Sequence, residues 1–310
     1  MPESKRKEGT MKPDEIEVTQ AEKELVAQIK KGNCILFLGA GVHAPPPEGS
    51  PYTYPEEERP LLGRGLAEIL ADACDYKQKF PEESYLDLQR ISLCFETEPG
   101  LGRSKLVDYL TENLRKGKKP SPALQMLAGL PFKIFITTNY DLLLESALRK
   151  FDKDPAIFVY NPSPNELTRD MEEDPTEDRP LVFKMHGDLN ERESIVITDE
   201  DYITFVQRMS DKDALHPVPQ TIRYRMKQWP TFFVGYSFRD YNLRLIFRTL
   251  RWRVDPANFP QSFSINSNPD MLFLRVYQNE RHFITYITKD LWTFVPRLFE
   301  EVTGKEYQHD

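Results

Sequence analysis

Four short segments of this 310-residue chain combine residue types that suit the binding of a nucleotide. They read FLGAG at residues 37–41, TTNYD at 137–141, KMHGD at 184–188 and VGYSFRD at 234–240. Glycine lets a backbone approach an anion closely, an amide can hold a hydroxyl or a water, and a neutral imidazole can accept a proton near pH 7. We therefore expect the four segments to share one nucleotide pocket.

The glycine turn after the first apolar run predicts an anion site. Gly39, Ala40, Gly41 and Val42 place backbone N–H groups where a pyrophosphate could approach, and we expect a helix N-terminus to follow the turn. A turn of this kind is also common as a simple connection between a strand and a loop, so both interpretations stay open. His43 lies two residues past Gly41, close to the expected phosphates.

Asn139 and His186 are the candidates for the chemistry itself. The amide of Asn139 can hold a ribose hydroxyl, a carboxamide or a water, and Thr138 precedes it. Asp141 is either a further binding residue or the N-cap of a helix that begins near residue 142. His186 follows an apolar run and precedes a glycine, so we expect it to be more exposed than a core histidine and to act as a general base.

Gly235 and Ser237 complete the candidate set at the end of the fourth apolar run. Glycine admits close approach of a ligand, and a serine hydroxyl can bond to ribose or phosphate. A simple junction between a strand and a helix explains one such segment. Four of them in one chain favour a shared site.

The spacing of apolar residues predicts the elements that position these candidates. Each motif follows or ends a short apolar run typical of a parallel strand buried on both faces, and segments of helical spacing separate the runs. This pattern predicts an α/β fold with a Rossmann-like, doubly wound, mostly parallel sheet. Ligands bind beyond the carboxyl ends of the strands in such sheets, so the motifs should converge.

We expect residues 1–18 to form a flexible arm and residues 19–310 to form one domain, with a helical insertion at about residues 61–127. Further short strands are predicted at 195–197 and 272–276, and a helix at 242–253.

Composition limits the class of protein. The net charge of −8 disfavours direct nucleic-acid binding. No apolar run is long enough to cross a bilayer and the N-terminus lacks a signal-peptide core, so we expect no membrane association and a cytoplasmic location. The three cysteines, Cys34, Cys74 and Cys94, form no C-x-x-C pair, so the sequence predicts no four-cysteine zinc site.

In their order and relative position, the four motifs resemble those of the sirtuin-like (SIR2-like) family over about residues 31–253. TTNYD and VGYSFRD look closer to the bacterial antiphage-defence branch of that family than to its protein deacylases. The chain departs from the deacylases in lacking their zinc module. His43 and a proline-rich stretch also stand where the deacylases carry a serine and an Asp-Phe-Arg element.

The resemblance implies an NAD hydrolase that takes NAD as its substrate, needs no zinc, and depletes NAD in antiphage defence. Asn139 would position the ribose and the attacking water, and His186 would act as the base. Residues 39–41 would cradle the pyrophosphate, and Gly235 and Ser237 would hold the adenosine side. The family precedent also implies a homo-oligomer, in some systems with a partner ATPase of the HerA type. Two alternatives stay open: a zinc-less deacylase or ADP-ribosyltransferase, and a non-catalytic scaffold that binds NAD or ADP-ribose.

Overall fold

Seven strands form one sheet at the centre of the computed structural model, which describes residues 19–83, 87–211, 215–236, 260–270 and 284–308. The strands are β1 (Ile35–Leu38), β2 (Ile134–Thr137), β3 (Ala156–Val159), β4 (Leu181–Lys184), β5 (Thr231–Val234), β6 (Ser262–Ile265) and β7 (Ile284–Ile287). Their order is β3-β4-β2-β1-β5-β6-β7, and each pair of neighbours is parallel. The predicted Rossmann-like α/β fold is confirmed.

Helices flank the sheet on both faces. In the described residues they are α1 (Gln20–Lys30), α2 (Gly63–Ala73), α3 (Tyr76–Lys79), α4 (Leu88–Thr97), α5 (Arg103–Arg115), α6 (Pro122–Gly129), α7 (Leu143–Lys150), α8 (Asp199–Arg208), α9 (Gln220–Arg225) and α10 (Leu291–Thr303). The first begins at a capping box in which Thr19 and Glu22 each accept the other's backbone N–H. None of the helices in these ranges is long and apolar enough to cross a membrane.

All four residues of strand β1 are apolar, and the packing on its two faces explains this. Leu36 and Leu38 pack into a core shared with α1, α6, α7 and α10. Ile35 and Phe37 point the other way, into a core shared with α8 and α9. Because both faces of the strand are covered by helices, all four side chains are buried.

A third core lies beyond the carboxyl edge of the sheet. Helices α2 to α5 bury their apolar faces against each other and against Tyr140, Leu189, Ile195 and Ile197. These four residues belong to the loops that follow β2 and β4. The helices of residues 63–115 therefore pack directly on the two loops that carry Asn139 and His186.

One local prediction is wrong, and one strand was not predicted. Residues 195–197 form no strand. Ile195 and Ile197 pack into the third core and Val196 packs into the core that contains Phe37, while Val196 N–H bonds to His186 O (2.9 Å). Strand β6 was not predicted, since serine alternates with apolar residues in it. The arm at 1–18, the helix at 242–253 and the strand at 272–276 lie outside the described residues.

Candidate active site

The four motifs leave the sheet side by side. The last residues of β1, β2, β4 and β5 form one register row: Leu38, Thr137, Lys184 and Val234. Neighbouring strands are about 4.8 Å apart, so the row is about 14 Å long. Asn139 and His186 each lie two residues beyond it, in the loops that follow the adjacent strands β2 and β4. The topology thus brings them to equivalent positions at one edge of the sheet.

Strand β1 marks the point where the strand order reverses, with β2 on one side and β5 on the other. Gly39 and Gly41 leave β1 there, and Gly235 leaves β5 with φ +76°. A Cβ on Gly235 would lie 2.6 Å from Gly39 O, and a Cβ on Gly41 would lie 2.8 Å from Gly235 O. Only glycine allows these two backbones to pack so closely, at the crevice where open α/β sheets bind ligands.

Most N–H groups of the glycine turn are already used within the protein. Gly41 N–H donates to Gly235 O (3.0 Å), and Val42 N–H donates to Gly39 O (3.1 Å). Ala40 is exposed, and its N–H has no acceptor among the described residues. The turn is a single 3-10 helix, Ala40–His43, so the expectation that a helix N-terminus follows Gly41 is wrong. A pyrophosphate here would meet chiefly Ala40.

Tyr236 links three of the motif-bearing strands. Its hydroxyl donates to Leu38 O on β1 (2.8 Å) and lies 2.7 Å from the Thr138 hydroxyl that follows β2. The single proton of Tyr236 is given to the carbonyl, so Thr138 must donate to Tyr236. Thr138 can then only accept hydrogen bonds from a ligand, for example from a ribose hydroxyl.

Asn139 has a fixed backbone and a side chain that is available to a ligand. Its N–H donates to Thr137 Oγ1 (3.0 Å), and Thr137 in turn donates to Leu38 O (3.1 Å). The residue is half-buried, and no hydrogen bond to its amide occurs within the described part of the chain. This combination suits a group that holds a substrate hydroxyl or a water.

Lys184 joins the loop after Asn139 to the strand that carries His186. Its buried ammonium donates to Tyr140 O (3.3 Å) and to Asp141 O, and forms ion pairs with Glu145 (3.1 Å) and Asp188 (2.6 Å). Burial opposes its charge, yet the nearby carboxylates of Glu145 and Asp188 raise the pKa of Lys184. The ammonium therefore stays charged and holds the two loops together.

Asp141 is a buried residue with a structural task. Its Oδ1 accepts the N–H of Leu143 (2.9 Å), the first residue of α7. Burial raises the pKa of Asp141, although the charge of Lys184 opposes this change. The N-cap position of α7 is Leu142, so Asp141 is not the N-cap itself; it stabilises the start of the helix from the preceding residue.

His186 is buried, with only 5% of its surface exposed, so the expectation of a more exposed ring is wrong. The ring meets the edges of Tyr202 and Phe205 at centroid distances of 5.1 and 5.4 Å, because α8 places both aromatic residues over it. Nδ1 lies 3.3 Å from the Tyr202 hydroxyl, and Nε2 has no partner in the described structure. Burial lowers the pKa of His186 to about 3, so the imidazole is neutral at pH 7.

His43 is also buried, and it is tied to structural groups. Its Nδ1 lies 3.2 Å from the Tyr54 hydroxyl, which donates to Lys119 O (2.8 Å). Tyr54 has given its proton to the carbonyl, so Nδ1 of His43 must carry the proton of their hydrogen bond. Burial lowers the pKa of His43 to about 3. The ring is neutral and braces the glycine turn.

A cavity of about 460 Å³ opens beside the glycine turn, beyond the ends of β5, β6 and β7. Gly41, Gly235 and Tyr236 form one wall, and neither Asn139 nor His186 lines the cavity. Six further polar residues of the lining belong to the loops after β6 and β7: Asn266, Ser267, Asn268, Asp270, Lys289 and Asp290. Sequence reasoning missed all six, although two asparagines around a serine at a strand end would have pointed to them had β6 been predicted. Ser237 lies outside the described residues.

Comparisons with known proteins place this chain among SIR2-like proteins. A model of the SIR2-like domain matches residues 133–287, half of the chain. The chain is 30% identical over 224 residues to a protein named NAD(+) hydrolase ThsA from Enterococcus faecium, covering 72% of this chain and 41% of that protein. A protein of the same name from Acinetobacter baumannii is 24% identical over 297 residues, covering 91% and 55%.

A third relative, Defense-associated sirtuin 2 from Bacillus subtilis, is 22% identical over 258 residues, covering 81% of this chain and 22% of that protein. The chain thus spans about half, or less, of the length of these relatives.

Proposed function

This chain belongs to the SIR2-like domain family, and from that premise we propose that it is an NAD hydrolase. The observation that carries the proposal is the register row: Asn139 and His186 each follow by two residues the paired last residues of the neighbouring strands β2 and β4. The amide of Asn139 has no hydrogen-bond partner within the described part of the chain, and the buried imidazole of His186 is neutral at pH 7. Two relatives named NAD(+) hydrolase support the choice of substrate.

In the proposed reaction, water attacks C1′ of the ribose that carries nicotinamide. The bond from C1′ to the nicotinamide nitrogen breaks, and its electron pair leaves with neutral nicotinamide. The ribose acquires oxocarbenium character on the way. Asn139 holds the ribose and the water, and His186 Nε2 accepts the proton that the water loses. The products are nicotinamide and ADP-ribose.

The burial of His186 determines the protonation state of its ring in this step. A histidine with a pKa of about 3 is almost entirely in its basic form at pH 7. It is a weak base, so positioning must supply much of the rate enhancement. Nicotinamide departs as a neutral molecule, which reduces the demand on acid or base assistance.

The rest of NAD would extend along the row toward β5. The exposed N–H of Ala40 is the candidate contact for the pyrophosphate, and Thr138 can accept a bond from a ribose hydroxyl. The cavity beside Gly235 has room for the adenosine half and offers the amides of Asn266 and Asn268. We propose that Gly235, because it has no side chain, lets the ligand approach the backbone closely.

We further propose that the activity depletes NAD in antiphage defence, in a homo-oligomer and with a HerA-type ATPase as a candidate partner. The name of the Bacillus subtilis relative supports the defence role. Cellular NAD measured during phage infection tests it, with the His186→Ala variant as the reference. Sedimentation of the purified chain, alone and mixed with the ATPase, tests the assembly.

One observation favours a second candidate, a subunit that binds NAD or ADP-ribose without cleaving it. His186 exposes only 5% of its surface, and a base that never meets a water cannot act. The two candidates differ in a single measurement. The scaffold binds ADP-ribose and leaves NAD intact in the assembled complex, whereas the hydrolase consumes NAD.

Chromatographic detection of nicotinamide tests the proposal. We expect His186→Ala and Asn139→Ala each to lower NAD turnover at least about a hundredfold, the scale for losing a general base. Asn165→Ala is a matched control because Asn165 is exposed in the loop after β3. Turnover in both site variants equal to that of the control would refute the assignment.

A further inference from the structure

Helix α8 builds the pocket in which His186 is held. Tyr202 and Phe205 are three residues apart on one face of the helix, and both meet the imidazole edge-on. Phe205 packs in addition against Tyr160, with ring centroids 5.0 Å apart. All of these side chains are buried, so the ring of His186 has little freedom to turn.

The hydroxyl of Tyr202 is the one polar group that contacts the imidazole in the described structure, at 3.3 Å from Nδ1. Two tautomers satisfy this contact. Either Nδ1 carries the proton and donates to Tyr202, or Nε2 carries it and Nδ1 accepts from Tyr202. The second arrangement would bury an unpaired Nε2–H, since Nε2 has no partner among the described residues. Orphaned buried N–H groups are rarer than unpaired acceptors.

We propose that Tyr202 is a positioning residue, which accepts a hydrogen bond from Nδ1–H of His186 and so keeps the lone pair of Nε2 available for proton transfer. This inference rests on the proposed function. A fixed tautomer is what a general base needs, because a base that carries its proton on the wrong nitrogen cannot accept one from the substrate water.

The helices of residues 63–115 hold α8 in the place that this requires. Asp201 completes the capping box at the start of α8, and Arg103 from α5 binds the same carboxylate (2.8 Å). Arg103 also donates to Ile195 O, next to Val196, whose N–H bonds to His186 O. A single arginine therefore fixes both the helix that carries Tyr202 and the loop that pairs with the histidine.

The matched pair of variants is Tyr202→Phe and Tyr109→Phe. The first removes the hydroxyl that contacts His186 and keeps the ring. The second removes a tyrosine hydroxyl from α5, where Tyr109 packs edge-on against Phe95. Protein labelled with 15N at its histidines reports the tautomer of each ring, and the His186→Ala variant identifies the His186 resonances.

In the wild type we expect a protonated Nδ1 and an unprotonated Nε2 at His186. Tyr202→Phe should produce a mixture of the two tautomers and lower kcat for NAD at least about tenfold, with KM changed less than about twofold. Tyr109→Phe should change neither. A wild-type spectrum with the proton on Nε2, or an unchanged kcat in Tyr202→Phe, would overturn the proposal.

The two readouts separate this inference from the proposed function. If the wild-type protein in its assembled complex does not cleave NAD while its spectrum shows the expected tautomer, the hydrolase proposal fails and the role of Tyr202 in holding His186 stands. If NAD is cleaved and the spectrum shows the other tautomer, the hydrolase stands and this inference fails. The wild-type spectrum decides even if Tyr202→Phe does not fold.

Discussion

Acidification from pH 7 to pH 5 is expected to destabilise this protein, and His186 contributes a definable share. Burial lowers the pKa of His186 from 6.5 to about 3 in the folded chain. Between these values the unfolded chain binds a proton that the folded chain does not. The free energy of unfolding therefore falls as the pH drops below 6.5.

The share of His186 follows from the two pKa values. At pH 5 the histidine of the unfolded chain is about 1.5 pH units below its pKa of 6.5 and is almost fully protonated, whereas the buried ring is still neutral. At about 1.36 kcal/mol per unit, the loss is about 2 kcal/mol relative to pH 7. His43 is shifted in the same direction and adds a comparable loss of its own.

A substitution that removes the titratable ring isolates the contribution of His186 to the loss of stability. His186→Gln removes the ionisable ring, and the other histidines are the same in both proteins. Urea unfolding at pH 7 and at pH 5 gives the acid-induced loss for each protein. The wild type should lose about 2 kcal/mol more than the variant. Equal losses, within about 0.5 kcal/mol, would show that His186 titrates as a solvated ring and would refute its burial as a neutral base.

Three further predictions follow from the same contacts. Gly235→Ala should lower the free energy of unfolding in urea by about 3 kcal/mol or more, because the residue has a positive φ and its Cβ would overlap Gly39 O and Val42 N. A free energy of unfolding within about 0.5 kcal/mol of the wild-type value would contradict the packing of the turn. Lys184→Met should lower the free energy of unfolding in urea by about 3–5 kcal/mol, because it leaves buried carboxylates without their cation. A smaller loss in urea would mean that the carboxylates are already protonated. The rate of NAD cleavage should show no inflection near pH 6.5 in initial-rate measurements, because the pKa of His186 is about 3; a fall in rate centred near pH 6.5 would indicate an exposed base.

The sheet could be predicted from the sequence because its central strands are short, continuous apolar runs. Such runs are typical of parallel strands covered by helices on both faces, and each one ended in glycine or polar residues. Parallel topology predicts that Asn139 and His186 leave the same edge of the sheet, whereas the adjacency and register of β2 and β4 come from the structure. Strand β6 escaped prediction because it alternates serine with apolar residues, and the asparagines that follow it were missed with it.

The environment of His186 could not be predicted, since it depends on a partner from a distant element. Tyr202 and Phe205 belong to α8, and the period of a helix shows which side chains share a face but not what that face covers. The same holds for Lys184, whose partners come from the loop after β2 and from α7. A charged residue at the end of an apolar run gives no indication that it is buried among three carboxylates.

The central claim is that Asn139 and His186 serve one reaction centre, and a double-variant cycle on NAD cleavage tests it most directly. Turnover is measured for the wild type, Asn139→Ala, His186→Ala and the double variant in the same assay. Residues that act on one water in one step show strongly non-additive losses, so the double variant should be no slower than the worse single variant by more than about tenfold. A loss equal to the product of the two single losses would mean that the residues act independently and would contradict a shared centre.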